Sequence, residues 1–201
     1  DLMGAYAVLN VGHCHPRIVA VAKAQLDKLG MVSRVTPTEE FAEFCEKLVH
    51  FCGFGKNGKV LPALGGHEAV EKAIKIARKW GYEVKGIEPD KAEIISCIDS
   101  FHGRTYGALS LMTNKHYKEN FGPFLPGFVH IPFGDVNALE QAITTNTVAF
   151  FVEPLQGEGG VIVPPRDYLA RVDTICFLNN VLFVADEIHT GFGRTGSYLA
   201  C

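Results

Sequence analysis

Residues 147–158 read Thr-Val-Ala-Phe-Phe-Val-Glu-Pro-Leu-Gln-Gly-Glu, and this stretch decides the fold. Its apolar run, Val148–Val152, is rich in β-branched and aromatic side chains, which is typical of a strand buried on both faces. The run stops at Glu153, so polar residues follow directly after the predicted strand. Ligands of parallel sheets bind at the carboxyl ends of the strands. The stretch therefore predicts both a buried strand and a ligand-binding edge.

Similar apolar runs and several amphipathic segments alternate along the rest of the chain. The other predicted strands are Lys59–Leu61, Glu93–Ile98, Phe128–Ile131 and Val181–Ala185. Apolar residues at helical spacing predict helices over Ile18–Leu29, Phe41–Phe51, Glu68–Trp80, Val136–Ile143 and Tyr168–Asn179. Strands that alternate with helices predict an α/β domain with a mainly parallel sheet.

The composition favours a small-molecule partner. The 201 residues are 47% hydrophobic and 20% charged, with a formal net charge of -3 and scattered basic residues. Such a chain offers no basic surface for nucleic acid or an anionic membrane, and none of its apolar runs has the length of a membrane span. We expect neither nucleic acid nor a membrane as a partner.

The six cysteines have irregular spacings and no CxxC pair. This pattern indicates reduced thiols, as in the cytoplasm or the mitochondrial matrix. The sequence opens on Asp1 and closes on Cys201 without a closing element, so we expect a domain that is incomplete at both ends and whose targeting segment is not visible.

Two other kinds of site are disfavoured by the spacing of their residues. His13, Cys14 and His15 lack a third metal ligand at a recognisable spacing, and Pro16 makes this stretch a helix-entry loop, so we expect no metal. Glu158 and Glu187 form a carboxylate pair, but nothing in the sequence sets the separation that a glycosidase needs.

A pair of glycines, Gly65 and Gly66, precedes the strongest predicted helix. Between a strand and a helix, such a pair leaves backbone N–H groups facing an anion, typically a phosphate. The spacing matches neither GxxxxGK[ST] nor GxGxxG, which excludes those two nucleotide motifs. Taken alone, the pair more often forms a simple tight turn.

Three further strand ends add an aromatic ring, a polar cluster and a carboxylate. Phe101 can stack on a planar ring, and Arg104 can pair with a carboxylate. Asp186 directly follows an apolar strand and can hold a buried cationic nitrogen, because both charges are costly to bury unless paired. Each has a structural alternative, namely a packed ring, a helix cap or a solvated carboxylate. Together they match pyridoxal phosphate (PLP), which has a phosphate, a flat ring and a ring nitrogen.

Six motifs occur in order along the chain: Tyr6–Pro16, Ala77–Tyr82, Phe101–Thr105, Phe121–Phe124, Glu153–Glu158 and Asp186–Ile188. Their order and composition resemble the class III, fold type I, PLP-dependent aminotransferases. The resemblance implies the large cofactor-binding domain of that fold, with a mainly parallel central sheet flanked by helices. Residues 1–36 would lead into this domain, and residues 37–201 would form part of it, without the C-terminal small domain.

The resemblance also implies an activity. The Ala77–Tyr82 and His13–Pro16 stretches favour ornithine-type members, which convert ornithine and 2-oxoglutarate to glutamate semialdehyde and glutamate. Acetylornithine and 4-aminobutyrate aminotransferases are the alternatives. Members of the family act as homodimers on amino-acid and 2-oxo-acid substrates.

Residue by residue, the resemblance implies two groups of site residues. The cofactor-binding group is Gly66, His67, Phe101, His102, Glu153, Asp186, Ile188 and His189. The substrate-side group is Tyr6, Arg104 and Glu158. Gly66 and His67 would bind the phosphate through their N–H groups. Asp186, the one catalytic residue expected in the chain, would keep the ring nitrogen protonated, with Phe101 and Ile188 on the two ring faces.

Three departures from the family pattern stand out. Leu64-Gly65-Gly66 replaces the usual Asn-Thr-Gly or Asn-Ser-Gly, so a hydroxyl near the phosphate is missing, and His189 replaces the usual glutamine. The Schiff-base lysine of the family would lie beyond Cys201, and the last lysine, Lys118, has no matching motif. We therefore expect the segment alone to be inactive. A truncated, non-catalytic paralogue that acts as an interaction partner is the alternative.

Overall fold

The computed structural model describes residues 3–33 and 35–201. The chain forms two compact units. One comprises Asp1–Leu61 with Gly191–Leu199, and the other comprises Pro62–Thr190 with Ala200–Cys201. The second unit contains the sheet and is called the sheet unit below. The first is called the helical unit.

The sheet unit is built on four parallel strands. These are β1 (Glu93–Cys97), β2 (Phe128–Ile131), β3 (Thr147–Val152) and β4 (Leu182–Ala185), in the spatial order β2-β1-β3-β4. Every residue of β3 is buried, as its continuous apolar run predicts. Parallel pairing aligns the carboxyl ends of the strands along one edge.

Helices cover both faces of this sheet. They are α4 (Gly66–Trp80), α5 (Tyr106–Ser110), α6 (Lys115–Lys118), α7 (Val136–Ala142) and α8 (Tyr168–Leu178). Neighbouring strand residues point to opposite faces: Phe151 packs in the cluster that contains α4, and Phe150 packs in the cluster that contains α7 and α8. The result is a three-layer α/β/α arrangement.

The path from α4 to the sheet depends on Gly81, which follows the helix in a π-helical turn, Gly81–Lys85. A Cβ atom at this position would lie only 2.2 Å from Cγ1 of Val148. A larger residue would therefore push the end of the helix away from β3.

The helical unit contains a short turn, α1 (Gly4–Ala7), followed by α2 (Pro16–Lys28), α3 (Glu39–Phe51) and a 3-10 turn at Gly55–Asn57. Proline at the first position of α2 and the side chain of Thr38, which accepts the Phe41 N–H at 3.3 Å, explain where the two long helices begin. Neither long helix has a buried residue.

The predicted α/β architecture, its parallel sheet and its flanking helices are confirmed. The five predicted helices are present, with ends shifted by two residues at most, and four of the five predicted strands are present. The strand predicted at Lys59–Leu61 is wrong, since these residues pair with no strand of the described chain. An apolar run can predict an extended segment, but a ladder also needs a partner within reach. No helix in the described ranges has the length and apolar character to cross a membrane.

Candidate active site

A cavity of about 450 Å³ opens at the carboxyl edge of the sheet. Its lining comes from the N-terminus of α4 and from the loops after β1, β3 and β4. The lining residues are Gly66, His67, Phe101, His102, Gly103, Arg104, Thr105, Glu153, Asp186, Ile188 and His189. Segments far apart in sequence thus converge on one space, as parallel-sheet topology predicts.

Two lining residues with buried side chains, Asp186 and His102, form a hydrogen-bonded pair. Asp186 Oδ2 and His102 Nδ1 are 2.7 Å apart, and the two side chains are 4% and 0% exposed. An ionised carboxylate can only accept, so this hydrogen bond places a proton on Nδ1. The second oxygen, Oδ1, accepts the N–H of Ile188 at 3.2 Å. Asp186 is therefore held firmly in a buried position.

The other ring nitrogen of His102, Nε2, is buried and has no hydrogen-bond partner within residues 3–33 and 35–201. The ring also contacts Phe151 edge-on, with centroids 4.9 Å apart. Buried polar atoms are normally satisfied, so Nε2 is an exception, and its burial beneath the cavity surface keeps it from contacting a ligand directly.

Glu153 is a second buried carboxyl group in the lining, only 3% exposed. Its Oε1 accepts the N–H of Phe101 at 2.9 Å. Burial raises the pKa of Glu153 to about 7, against the partial opposition of its backbone hydrogen bonds and of His102. Glu153 therefore anchors the backbone of Phe101 and changes charge near neutral pH.

Aromatic rings surround the mouth of the cavity. Phe101 and His189 are nearly parallel, with centroids 6.1 Å apart. The exposed guanidinium of Arg104 lies 4.2 Å from the ring centroid of Tyr117 and 5.8 Å from that of Phe101. Arg104 is therefore placed at the entrance, in cation–π contact with two rings.

The N-terminus of α4 forms the opposite wall. The N–H groups of Gly66 and His67 donate to no acceptor in the described part of the chain, and the helix dipole adds positive potential there. A Cβ atom on Gly66 would lie 3.0 Å from Cγ2 of Ile188. Glycine thus lets the helix end approach the loop after β4 closely.

A model of the class III aminotransferase family matches residues 1–201, which is the whole chain. The chain belongs to the class III aminotransferases. It is 50% identical over 200 residues to an ornithine aminotransferase of an Exiguobacterium species, covering 100% of this chain and 49% of that protein. The resemblance predicted from the motifs is confirmed.

Solved structures give the same result. An ornithine aminotransferase from Toxoplasma gondii, described with partial occupancy of PLP at its active site, superposes with a TM-score of 0.95 at 45% identity, over 100% of this chain and 47% of that one. An acetylornithine aminotransferase from Elizabethkingia anophelis superposes with a TM-score of 0.82 at 40% identity, over 100% and 46%. The chain spans about half the length of the relatives that it matches.

Most residues that the family pattern singles out lie together in this cavity. The lining includes all eight predicted cofactor-binding residues and Arg104. Glu158 is exposed and does not line the cavity, and Tyr6 belongs to the helical unit. The roles predicted for all of these residues stay predictions.

Two lining residues, Gly103 and Thr105, were not predicted as site residues. Thr105 caps α5, where its hydroxyl accepts the Ala108 N–H at 3.4 Å, and a threonine just before a helix is a sequence signal that could have placed it. Gly103 has a φ of +119°, a conformation that favours glycine. No group of His, Cys, Asp and Glu side chains suited to a metal occurs among the described residues.

Proposed function

We propose that the protein to which this chain belongs is a PLP-dependent aminotransferase that acts on ornithine and 2-oxoglutarate and yields glutamate semialdehyde and glutamate. The observation that carries the proposal is the buried Asp186–His102 pair, placed in the same cavity as the open N-terminus of α4. Two of the three named relatives are ornithine aminotransferases, at 50% and 45% identity, and they support the choice of substrate over the acetylornithine aminotransferase at 40% identity.

The residues of the cavity fit PLP. The N–H groups of Gly66 and His67 face an anion site without protein acceptors, which suits the phosphate. Phe101 and Ile188 supply apolar surfaces suited to a flat ring, and Asp186 supplies the carboxylate suited to a protonated ring nitrogen. The hydrogen bond to His102 holds the carboxylate of Asp186 in a buried position at the cavity wall, which suits a cationic partner.

When bound, PLP supplies an electron-withdrawing ring that takes up and returns the amino group. The side chains divide the remaining work. Asp186 would keep the ring nitrogen protonated, and His102 would orient Asp186 through the 2.7 Å hydrogen bond. Glu153 would fix Phe101 through its backbone N–H. Members of the family usually have glutamine at position 189. We propose that the imidazole of His189 replaces it and forms a hydrogen bond with the phenolic oxygen of PLP.

Substrate binding would involve Arg104, Glu158 and Tyr6. Arg104 at the cavity entrance is suited to a carboxylate. We assign Glu158 and Tyr6 to substrate accommodation on the family pattern alone. We propose a homodimer on the family pattern, and the exposed apolar side chains of α2 and α3 offer a face that a second subunit could cover.

The covalent chemistry of the family needs a lysine, and no lysine lines the cavity of the described chain. Lys118 donates to the carbonyl of Met112 at 2.8 Å and lies over the ring of Phe124. We therefore propose that a chain limited to these 201 residues would bind PLP weakly and would not catalyse transamination. The buried thiols of Cys97 and Cys176 agree with a reducing compartment, either the cytoplasm or the mitochondrial matrix.

Transamination assays on the whole protein test this proposal. We expect ornithine-dependent formation of glutamate from 2-oxoglutarate, with N-acetylornithine and 4-aminobutyrate as poorer donors. A preference for either of those donors would replace the substrate assignment but leave the aminotransferase assignment intact. For the 201-residue chain, borohydride reduction followed by peptide mass spectrometry should find no lysine that carries stoichiometric cofactor. Absence of turnover in the whole protein with every donor would favour the non-catalytic alternative.

A further inference from the structure

We propose that the imidazole of His67 makes the side-chain contact to the cofactor phosphate that a hydroxyl at position 65 makes elsewhere in the family. This inference rests on the proposed PLP site. It concerns two positions of this chain, Gly65 and His67, which we infer to be a coupled pair.

The first observation is where the His67 ring lies. A Cβ atom built on Gly65 would be 3.1 Å from Cε1 and 3.3 Å from Nδ1 of His67. These distances are tighter than ordinary van der Waals contact. The ring therefore lies close beside Gly65, and a side chain at position 65 would require the ring to shift by a few tenths of an ångström.

The backbone does not demand glycine at position 65. Gly65 has φ -160° and ψ 169°, an extended conformation that suits β-branched residues such as threonine. The close approach of the His67 ring is what disfavours a side chain at position 65. The glycine at position 65, which lacks a hydroxyl, thus makes room for the ring of His67.

Two glycines allow close approaches to the first turn of α4, where His67 lies. A Cβ atom on Gly103 would lie 3.3 Å from Cβ of His67, and one on Gly66 would lie 3.0 Å from Ile188. Both glycines bring a loop against the first turn of α4. The first turn of α4 is thereby held against the loop after β1 and the loop after β4.

The nearest carboxylate, that of Glu68, has other partners and does not form a hydrogen bond with the ring of His67. Glu68, in the same turn, is engaged by Lys72 at 3.0 Å and by the N–H of Leu64 at 2.6 Å. Its carboxylate is thereby compensated. The ring of His67 makes no hydrogen bond within the described ranges, and it lines the cavity. A ring N–H beside a helix N-terminus is a suitable donor to a phosphate oxygen.

The experiment measures equilibrium binding of PLP and of pyridoxal, which lacks the phosphate, to the apo form of the whole protein. His67→Phe keeps a ring beside Gly65 but removes both nitrogens. We expect about 10-fold weaker PLP binding and unchanged pyridoxal binding, because one charge-assisted hydrogen bond is lost. Inorganic phosphate should compete less effectively with PLP in this variant.

A double-mutant cycle then tests the coupling of the two positions. Gly65→Thr should weaken PLP binding while His67 is present, because the new side chain displaces the ring. In a His67→Ala background the same substitution should strengthen PLP binding by restoring a hydroxyl. Gly65→Ala is the matched control that adds bulk without a hydroxyl, and it should not strengthen binding in either background. Thermal midpoints of the apo variants show that each one folds.

The outcomes separate the two proposals. If the unsubstituted protein fails to bind PLP, the proposed function fails and this inference fails with it. If it binds PLP and His67→Phe binds equally well, only this inference is overturned. The same holds if Gly65→Thr changes affinity by the same factor in both backgrounds, since the positions would then be independent.

Discussion

Helices α2 and α4 have nearly the same length but differ in how much of their apolar faces is buried. Both are amphipathic, with 13 and 15 residues, yet α4 buries Val70, Ile74 and Ala77 while α2 buries none. In α2, Ile18 and Leu26 stay 56% and 68% exposed. Hydrophobic periodicity thus predicts that a helix forms and which face is apolar, but it does not predict what covers that face.

The difference extends to the two units. The sheet unit encloses its strands between two apolar clusters, whereas neither long helix of the helical unit has a buried residue. Buried apolar area is the main source of folding stability. We therefore expect the sheet unit to carry both the stability of the single chain and the chemistry of the site.

The largest effect should come from Asp186→Asn in the whole protein. Asn can still bond to His102, but it provides no negative charge to a protonated ring nitrogen, so we expect the transamination rate to fall by about 1,000-fold or more. Rapid-mixing measurement of the half-reaction with ornithine gives the rate. Asp167→Asn, at an exposed position, is the matched control. A turnover unaffected by Asp186→Asn would remove that residue from the catalytic assignment.

The next effect concerns the core of the sheet unit. Phe150 is fully buried and Phe177 is 82% exposed, although both are phenylalanines of the same unit. Phe150→Ala should lower the free energy of unfolding by about 3–5 kcal/mol, through lost burial and a residual cavity. Phe177→Ala should change it by less than about 0.5 kcal/mol. Urea titration of the 201-residue chain measures both values, and similar losses would contradict the difference in burial.

A smaller effect is the dependence of stability on pH through Glu153. Its pKa is raised from 4.5 to about 7. The contribution of Glu153 to the free energy of unfolding is therefore full below pH 4.5 and is lost as pH rises through 7. Glu153→Gln, an uncharged isostere, should therefore match the wild type at pH 4, where Glu153 is mostly protonated in both the folded and the unfolded chain. At pH 8 it should be more stable by on the order of 1–3 kcal/mol. Urea titrations at both pH values test this, with the exposed Glu158→Gln as the control. Equal differences at the two pH values would contradict the predicted pH dependence.

The smallest effect on the single chain should come from α2. Val21→Ala and Leu26→Ala remove exposed side chains, so we expect changes within about 0.5 kcal/mol for the 201-residue chain. If the interface of the proposed homodimer covers this face, the same substitutions should weaken the assembly of the whole protein. Light scattering on dilution measures the assembly. A large loss of stability in the single chain would show that α2 is covered within one chain after all.

Sequence patterns alone predicted the strands β1 to β4, the five longer helices and the parallel α/β class. These follow from local periodicity and from apolar runs such as Val148–Val152, which are properties of neighbouring residues. The family motifs also identified Phe101, Asp186 and the glycine pair before α4. Asp186 directly follows β4, the glycine pair lies at the start of α4, and Phe101 lies in the loop after β1, which are positions where chain order indicates a ligand edge.

The tertiary structure decided the contacts between distant residues. Lys59–Leu61 has the composition of a strand but finds no partner strand in the described chain. The hydrogen bond between His102 and Asp186 joins residues 84 positions apart, and the raised pKa of Glu153 comes from burial created by the whole fold. The placement of the His67 ring beside Gly65 is equally invisible in the order of residues. Packing and desolvation depend on which side chains meet in space, and only the folded chain determines that.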